Sequence, residues 1–209
     1  MCIYENLPKV FTEENGKPSG MFVEIMEYIA QKEGWKIEYV KGRWADCLER
    51  LESGEIDIMV NVPYTPLYSS ICKFHRVPVF SSRLQIYARN GINISSILDL
   101  NEKPVGILAR SGDDTELEHL IGGFDVRPAF VYFKDLKELV EALRKGHVQC
   151  AVLDHLQAVR YARRFGLEET SIIFSPRDLF FSAAKHVEPE ILNAIDRNLL
   201  FMKKDHQSL

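Results

Sequence analysis

Hydrophobic residues recur along this chain with two different spacings, and the alternation between them predicts an α/β protein. Apolar residues three and four positions apart predict an amphipathic helix over about 20–33, with Ser19 as its cap. A short apolar run at 56–60, opened by Gly54 and closed by polar residues, predicts a strand buried on both faces. Because helices and strands alternate from one end to the other, mostly parallel sheets flanked by helices are expected.

The same patterns continue through the rest of the chain. Further helices are predicted at about 44–53, 114–121, 135–145, 155–165 and 188–203. Further strands are predicted at 35–40, 105–109, 127–133, 148–153, 171–174 and 179–184. Residues 77–80 and 84–88 are predicted as two separate extended segments, and 66–73 as a loop or a short helix.

One stretch of the chain repeats in outline. Residues 48–56 and 140–148 share the order of a helix end, a glycine and a strand, with Gly54 and Gly146 as the glycines. Each strand then runs into polar residues, at 61–65 and at Asp154. Two similar α/β units predict two lobes with a ligand cleft between facing strand ends. The alternative is that a helix, a glycine and a strand follow one another by chance, as they do in any α/β protein.

Composition narrows the classes of function. The net charge is -4 and the basic residues are scattered, so the sequence carries no nucleic-acid footprint. No apolar run approaches the ~18 residues of a membrane span. The four cysteines are far apart and form no CxxC pair, which argues against a zinc site. Buried free thiols are expected for these cysteines, with one disulfide left open.

Five short motifs, taken in order, resemble the type 2 periplasmic (extracellular) solute-binding protein family. They lie at 15–22, 51–57, 65–74, 97–106 and 146–154 and together cover nearly the whole chain. The resemblance implies a two-lobed periplasmic-binding-protein-like fold, each lobe a mostly parallel sheet flanked by helices and the two joined by crossing strands. Lobe 1 is then expected at 1–87 plus 184–209 and lobe 2 at 90–180, with hinge strands near 86–90 and 179–183.

Three further segments resemble one branch of the family more narrowly. Residues 4–11, 34–40 and 201–208 are similar to the extracellular sensor domains of histidine kinase and diguanylate cyclase receptors. That resemblance implies a periplasmic or extracellular sensor, tethered by a membrane segment beyond these residues, which binds a small polar solute and signals by lobe closure. It implies no cofactor and no nucleic-acid partner, and it leaves a homodimer open.

Two alternatives stand beside the receptor interpretation. One is a free solute-binding protein that feeds a transporter. The other is an enzyme of this fold, related to cyclohexadienyl dehydratase, which would need an acid/base pair in the cleft. Glu5 and Asp154 could form that pair with His75 or His155 as helpers, but no fixed spacing supports them. The domain is therefore expected not to be an enzyme.

The resemblance also assigns ligand-contacting positions in lobe 1. They are Tyr4, Glu5, Asn6, Trp44, Asn61, Tyr64, Thr65 and Tyr68. Trp44 matches the aromatic residue that stacks on the ligand in the family, and a half-buried packing tryptophan is the alternative. The aromatic residues among these positions would suit a ring or a cation.

The remaining expected positions are Arg83, near the end of the first part of lobe 1, and Arg110, Ser111 and Asp154 in lobe 2. Arg110 and Ser111 occupy a turn before a helix, where the family receives an anionic group through backbone N–H donors. The alternative is a turn at which Asp113 and Asp114 simply cap the helix. Asp154 matches the acid that receives the ligand's amino group, and its alternative is also a helix cap.

One position departs from the family pattern. The family's Thr-Pro-Glu-Arg motif supplies an arginine that grips an α-carboxylate, and Tyr68 stands in its place. Tyrosine can donate one hydrogen bond but carries no charge. Arg83 or Arg110 is therefore expected to take over that role, or the ligand is something other than a standard amino acid. The expected ligand is an amino acid, a carboxylate, an amine or an aromatic acid.

Overall fold

A computed structural model describes residues 1–156, 158, 161 and 165–204 of the chain. Its helices are α1 (Met21–Glu33), α2 (Trp44–Ser53), α3 (Pro66–Ile71), α4 (Asp113–Ile121), α5 (Leu136–Lys145) and α6 (Pro189–Lys204), with a 3₁₀ turn at Ile97–Leu100. The helix predicted at 155–165 lies largely outside the described residues.

The strands alternate with these helices, as an α/β protein requires. They are β1 (Cys2–Ile3), β2 (Phe11–Thr12), β3 (Pro18–Ser19), β4 (Val40–Lys41), β5 (Ile58–Pro63), β6 (Lys73–Phe74), β7 (Phe80–Arg89), β8 (Pro104–Leu108), β9 (Ala129–Phe133), β10 (Cys150–Asp154) and β11 (Leu167–Ala183).

The contacts within the chain divide it into two compact units. Unit 1 comprises Met1–Ser81 and Arg177–Leu209, and unit 2 comprises Ser82–Pro176. The chain passes from one unit to the other along β7 and β11, which we call the crossing strands. These limits fall several residues earlier than the lobe limits expected at 87 and 184. The hinges near 86–90 and 179–183 stay a prediction.

Unit 1 contains a mixed sheet with the strand order β4-β1-β5-β11, and β6 pairs with β11. The pairs β1–β4 and β1–β5 are parallel, whereas β11 runs antiparallel to β5. The core beside this sheet is built from apolar side chains of α1, α2, β5 and α6. Phe22 is fully buried there and packs edge to face on Phe80 and Phe181, with ring centroids 5.3 and 5.2 Å apart.

The strands of unit 2 follow the order β11-β7-β10-β8-β9. The pairs β10–β8 and β8–β9 are parallel, and β10 runs antiparallel to β7. Two apolar clusters cover the sheet, one including α4 and the other built on α5. The fold is therefore α/β in both units, with antiparallel pairs contributed by the crossing strands.

The repeated pattern of a helix, a glycine and a strand is real in the structure. Gly54 follows α2 with φ 78°, and Gly146 follows α5 with φ 80°. Both glycines take the left-handed conformation that ends a helix, and both donate backbone hydrogen bonds to carbonyl groups of the preceding turn. The strands that follow, β5 and β10, are fully buried, as was predicted for the first of them.

Several predicted elements are wrong in extent. The strand predicted at 35–40 is reduced to Val40–Lys41, because its pairing with β1 covers only those two residues. The two segments predicted at 77–80 and 84–88 form one strand, β7, from Phe80 to Arg89. Likewise the strands predicted at 171–174 and 179–184 are parts of β11, which continues through Pro176.

One predicted helix cap is wrong, and the segment predicted as a loop or a short helix forms a helix. Ser19 does not cap α1, because it belongs to β3 and Gly20 occupies the cap position. Residues 66–71 form a helix, capped by the Thr65 side chain, which accepts a hydrogen bond from the Tyr68 N–H at 3.1 Å.

The cysteines behave in two ways. Cys2 of β1 and Cys47 of α2 form a disulfide, with their Cα atoms 5.7 Å apart, so the expectation of free thiols is wrong for this pair. Cys72 and Cys150 are free and buried, as expected. Burial raises the pKa of the Cys72 thiol to about 11 and that of Cys150 to about 12, so both stay protonated at neutral pH.

Candidate functional site

The carboxyl end of β5 places Asn61 against Tyr4. Parallel pairing of β1 with β5 sets Cys2 beside Met59, so the residues two positions further on, Tyr4 and Asn61, come to the same edge of the sheet. The Asn61 Nδ2 donates to the Tyr4 hydroxyl at 2.9 Å, and that hydroxyl donates to the Val60 carbonyl at 3.4 Å. Asn61 has φ 59°, a left-handed conformation that is uncommon for a residue with a side chain.

Two further aromatic rings lie next to this pair. Trp44, the first residue of α2, packs edge to face on Tyr4 with ring centroids 5.3 Å apart. Tyr68 of α3 also packs edge to face with Trp44, with ring centroids 6.3 Å apart. We call Tyr4, Trp44, Asn61 and Tyr68 the β5-end cluster.

Two buried polar atoms of the β5-end cluster lack hydrogen bonds. The Asn61 Oδ1 and the Trp44 Nε1 are both covered, and neither has a partner in the part of the chain that the structure describes. A buried polar atom left without a partner costs about 1–3 kcal/mol, so native structures rarely keep one without a role. One is an acceptor and the other a donor, so together they can serve a ligand that carries both kinds of group.

The other predicted residues of unit 1 lie elsewhere or have local roles. Glu5 is exposed and accepts a hydrogen bond from the Thr12 N–H at 3.0 Å. Asn6 is buried and forms an isolated bridge with Val10 through its backbone. Tyr64 is 61% exposed and packs on Phe74, while Thr65 caps α3. These contacts give Glu5, Tyr64 and Thr65 structural explanations that need no ligand.

In unit 2 two of the predicted residues lie near one buried phenol. Asp154, the last residue of β10, is buried, and its Oδ1 accepts the Leu156 N–H at 3.0 Å, as a helix cap would. Burial raises the pKa of Tyr87 to about 12, with Glu169 and Asp154 adding to the effect and Arg83 opposing it. Arg83 and Asp154 are therefore both close enough to Tyr87 to act on it electrostatically.

The remaining predicted pair shapes the turn before α4. Arg110 is exposed and has φ 63°. The Ser111 hydroxyl donates to the Leu108 carbonyl at 2.8 Å and accepts the Asp113 N–H at 3.1 Å, so it closes the turn on itself. Gly112 is the cap residue of α4, and Asp113 and Asp114 lie in the first turn of the helix.

A series of hydrogen-bonded polar side chains near Asp154 was not predicted from the sequence. The Gln85 Nε2 donates to the Thr170 carbonyl at 2.7 Å, and the Gln85 Oε1 accepts from the Tyr87 hydroxyl at 3.2 Å. The Tyr87 oxygen in turn lies 3.4 Å from the His155 Nδ1. The only indication of these hydrogen bonds in the sequence is Gln85, a polar residue among the apolar residues of β7.

A cavity of about 520 Å³ lies in another part of unit 1. Its walls come from α1, the segment 35–38, the start of β5 and α6, and include Met26, Trp35, Ile58, His186 and Ile195. None of the predicted site residues lines it.

Two further observations bear on the class of site. In the part of the chain that the structure describes, no group of three or more His, Cys, Asp or Glu side chains could hold a metal ion. None of the helices in the described residues is long and apolar enough to cross a membrane.

Comparison with known proteins places the whole chain in one family. The family model of the bacterial extracellular solute-binding proteins, family 3, matches residues 1–208. An amino-acid-binding protein of Dichelobacter nodosus is 25% identical over 209 residues, spanning 96% of this chain and 80% of its own length. An L-cystine-binding protein of Escherichia coli K12 is 25% identical over 203 residues, spanning 95% and 74%.

Solved structures agree with that assignment. An ancestral arginine-binding protein bound to arginine is 26% identical and has a TM-score of 0.84 over 98% of this chain and 93% of its own. A histidine kinase sensor domain with similarity to periplasmic binding proteins has a TM-score of 0.86 at 20% identity, over 100% and 92%. The latter likeness concerns the fold alone. The chain belongs to the bacterial extracellular solute-binding proteins of family 3.

Proposed function

We propose that this chain binds an amino acid or a related small amine-bearing acid, and that the β5-end cluster holds part of the ligand. The observation that carries the proposal is a pair of buried atoms, the Asn61 Oδ1 and the Trp44 Nε1, which have no hydrogen-bond partner among the described residues. A ligand that hydrogen-bonds to both, after small side-chain movements, removes the free-energy cost of burying these two atoms without partners. The rings of Tyr4, Trp44 and Tyr68 add apolar and cation-binding surface beside them.

The charged residues of unit 2 suggest how the two ends of such a ligand are recognised. The Asp154 carboxylate suits an ammonium group, and Arg83 or Arg110 would supply the positive charge that Tyr68 cannot. Names of relatives support this class of ligand, because they refer to amino acids, to L-cystine and to arginine. All of these relatives are named for binding, and the proposal includes no catalytic step.

For the biological setting we propose an extracellular or periplasmic sensor domain of a membrane receptor, whose lobes close when the solute binds. The disulfide supports an oxidising compartment, since such bonds rarely persist in the cytosol. A free solute-binding protein of a transporter is the second candidate, favoured by the binding proteins among the relatives. Identical small-angle scattering profiles with and without saturating ligand would contradict signalling by closure in either setting.

A thermal-shift screen against amino acids, small carboxylates, amines and aromatic acids is the first test, with L-arginine and L-cystine included. A specific ligand at ~100 times its dissociation constant adds roughly 2.7 kcal/mol to the free energy of unfolding. We expect a hit among amine-bearing acids. A blank for every amine-bearing acid in the panel would contradict the proposed ligand class.

Two substitutions then test the β5-end cluster with the ligand so found. Trp44→Phe removes the indole N–H and keeps a ring, and Asn61→Gly removes the amide while tolerating the positive φ. Each is expected to weaken binding about tenfold in calorimetry, the effect of losing one hydrogen bond. Trp35→Phe is the matched control, because Trp35 lines the separate cavity. Unchanged affinity in both test variants would remove this cluster from the site.

Asp154 is tested separately. Asp154→Ala is expected to abolish binding of an amine-bearing ligand, because it removes the counter-charge for the ammonium group. Asp154→Asn keeps an acceptor for the Leu156 N–H and removes only the charge, so it separates recognition from helix capping. Wild-type affinity in Asp154→Asn would show that this carboxylate does not contact the ligand.

A further inference from the structure

His75 joins three parts of unit 1. It lies in the segment between β6 and β7, with its side chain fully buried. Its Nδ1 is 3.2 Å from the Oδ1 of Asp196 on α6. Its Nε2 accepts the backbone N–H of Phe181 in β11 at 3.0 Å. The imidazole therefore connects α6 to the crossing strand β11. His75 itself lies in the sequence shortly before β7, the other crossing strand.

The end of β6 explains why an imidazole is needed at this point. β6 pairs with β11 through Phe74 and Ser182, and Phe181 lies one position beyond that pair, where β6 has ended and offers no further ladder partner among the described residues. A buried N–H without an acceptor would be costly, and the His75 Nε2 provides that acceptor. The rings of Phe180 and Phe181 pack against the imidazole with centroids 5.3 and 5.9 Å away.

These contacts fix the protonation state of the ring. Because the Nε2 accepts a hydrogen bond, it carries no proton, and the neutral imidazole holds its proton on Nδ1 facing Asp196. The Asp196 carboxylate also accepts the backbone N–H groups of Arg76 and Val77, at 2.8 to 3.0 Å. Asp196 is thus held by three donors from the segment 75–77.

We propose that His75 and Asp196 form an acid-sensitive link, which holds α6 to the crossing strand β11 while His75 is neutral and releases it when the Nε2 is protonated. A protonated Nε2 would place its own N–H against the Phe181 N–H, so the bond to β11 is lost and replaced by a repulsive contact. An extracellular chain is exposed to the pH of its surroundings, so such a link would make the position of α6 depend on that pH.

The direction of the pH dependence follows from the groups around the ring. Burial lowers the pKa of His75 below its usual 6.5, and Lys203 of α6 acts in the same direction, while Asp196 opposes both. The adjoining Arg76 adds a nearby positive charge, and the facing side chains of β11 are uncharged phenylalanines. The link is therefore fully formed above about pH 6.5 and weakens as the pH falls toward the lowered pKa.

Amide hydrogen exchange of the 209-residue chain between pH 8 and pH 4.5 tests the link, after correction for intrinsic exchange chemistry. Below about pH 6.5 the open population at the Phe181 amide is expected to rise about tenfold for each pH unit until the lowered pKa is reached. His75→Gln supplies an acceptor that does not titrate and should remove this dependence. His186→Gln is the matched control, since His186 forms an exposed pair with Asp57 at 3.0 Å in the same unit. It should behave as the wild type does.

A Phe181 amide whose protection does not change with pH would overturn the proposal. So would a dependence in His75→Gln equal to that of the wild type. If His75→Gln does not fold, Asp196→Asn gives the decision, because asparagine keeps an acceptor oxygen but lacks the charge that raises the pKa of His75. In this variant the tenfold rise in the open population of the Phe181 amide for each pH unit should extend to a lower pH than in the wild type. A pH profile of amide exchange identical to that of the wild type would contradict the link.

Discussion

Loss of the Cys2–Cys47 disulfide is expected to lower the free energy of unfolding by about 4 kcal/mol, the chain-entropy value for a loop of this length. The bond joins residues 45 positions apart and fastens β1 to α2, so without it the unfolded chain gains freedom. For a chain of 209 residues, that loss should lower the melting temperature by roughly 10 °C. Denaturant unfolding with and without a reductant measures it.

A double variant, Cys2→Ala with Cys47→Ala, controls for other effects of the reductant. We expect it to unfold at the same denaturant concentration in both conditions, close to that of the reduced wild type. Cys72 and Cys150 do not interfere, because both are buried thiols with raised pKa values. An unchanged midpoint for the reduced wild type would show that the disulfide contributes nothing to stability.

Gly20→Ala should cost about 2–5 kcal/mol of stability, since it combines backbone strain with overpacking. Gly20 has φ 110°, and a Cβ atom there would lie 2.7 Å from the Lys9 carbonyl oxygen and 2.9 Å from that of Pro8. The same two carbonyl groups accept the N–H groups of Met21 and Phe22 at the start of α1. A methyl group would therefore displace the hydrogen-bond acceptors at the start of this helix.

Two other glycines separate the contributions to that cost. Gly16 has φ 86°, but a Cβ atom added there would have no described atom within 4 Å. Gly16→Ala should therefore lower the free energy of unfolding by the cost of backbone strain alone, about 1 kcal/mol. Gly123 has open space and no positive φ, so Gly123→Ala should change stability by no more than about 0.5 kcal/mol. Chemical denaturation of the three variants should rank them Gly20, Gly16, Gly123. If Gly20→Ala and Gly16→Ala lose the same free energy of unfolding, then the overlap of the added methyl group with the Lys9 and Pro8 carbonyl groups is relieved by movement of the backbone.

The sequence predicted most of the helices and the family, because these depend on residues close together in the chain. α2 and α5 end at the predicted glycines, since helix spacing and a left-handed cap need only about four neighbouring residues. Strand limits were harder to predict. Residues 35–39 alternate as a strand should, yet the pairing with β1 is limited to Val40–Lys41. In the same way Pro176 suggests a break between two strands. β11 nevertheless continues through Pro176, because this strand pairs with both β7 and β5.

The candidate site was predictable in part. Tyr4, Trp44, Asn61 and Tyr68 were expected from family motifs, and the structure brings them into contact. The positive φ of Asn61 and the two buried atoms without partners were not foreseeable, since both depend on how β1, β5 and α2 pack. Ser111 and Thr65 matched the family equally well as sequence, but their hydroxyl groups are engaged in local turns. Whether the matched residues hold a ligand stays a prediction.

Helical spacing, caps and short motifs are properties of adjacent residues, so the amino-acid order alone gave the α/β class, most of the helices and the family. Other features join residues that are distant in the chain. Tyr4 and Asn61 are 57 positions apart, the two bonded cysteines 45, and His75 and Asp196 121. Such contacts exist only after the strands have paired and the helices have packed on them, because no local pattern encodes which distant residues will meet.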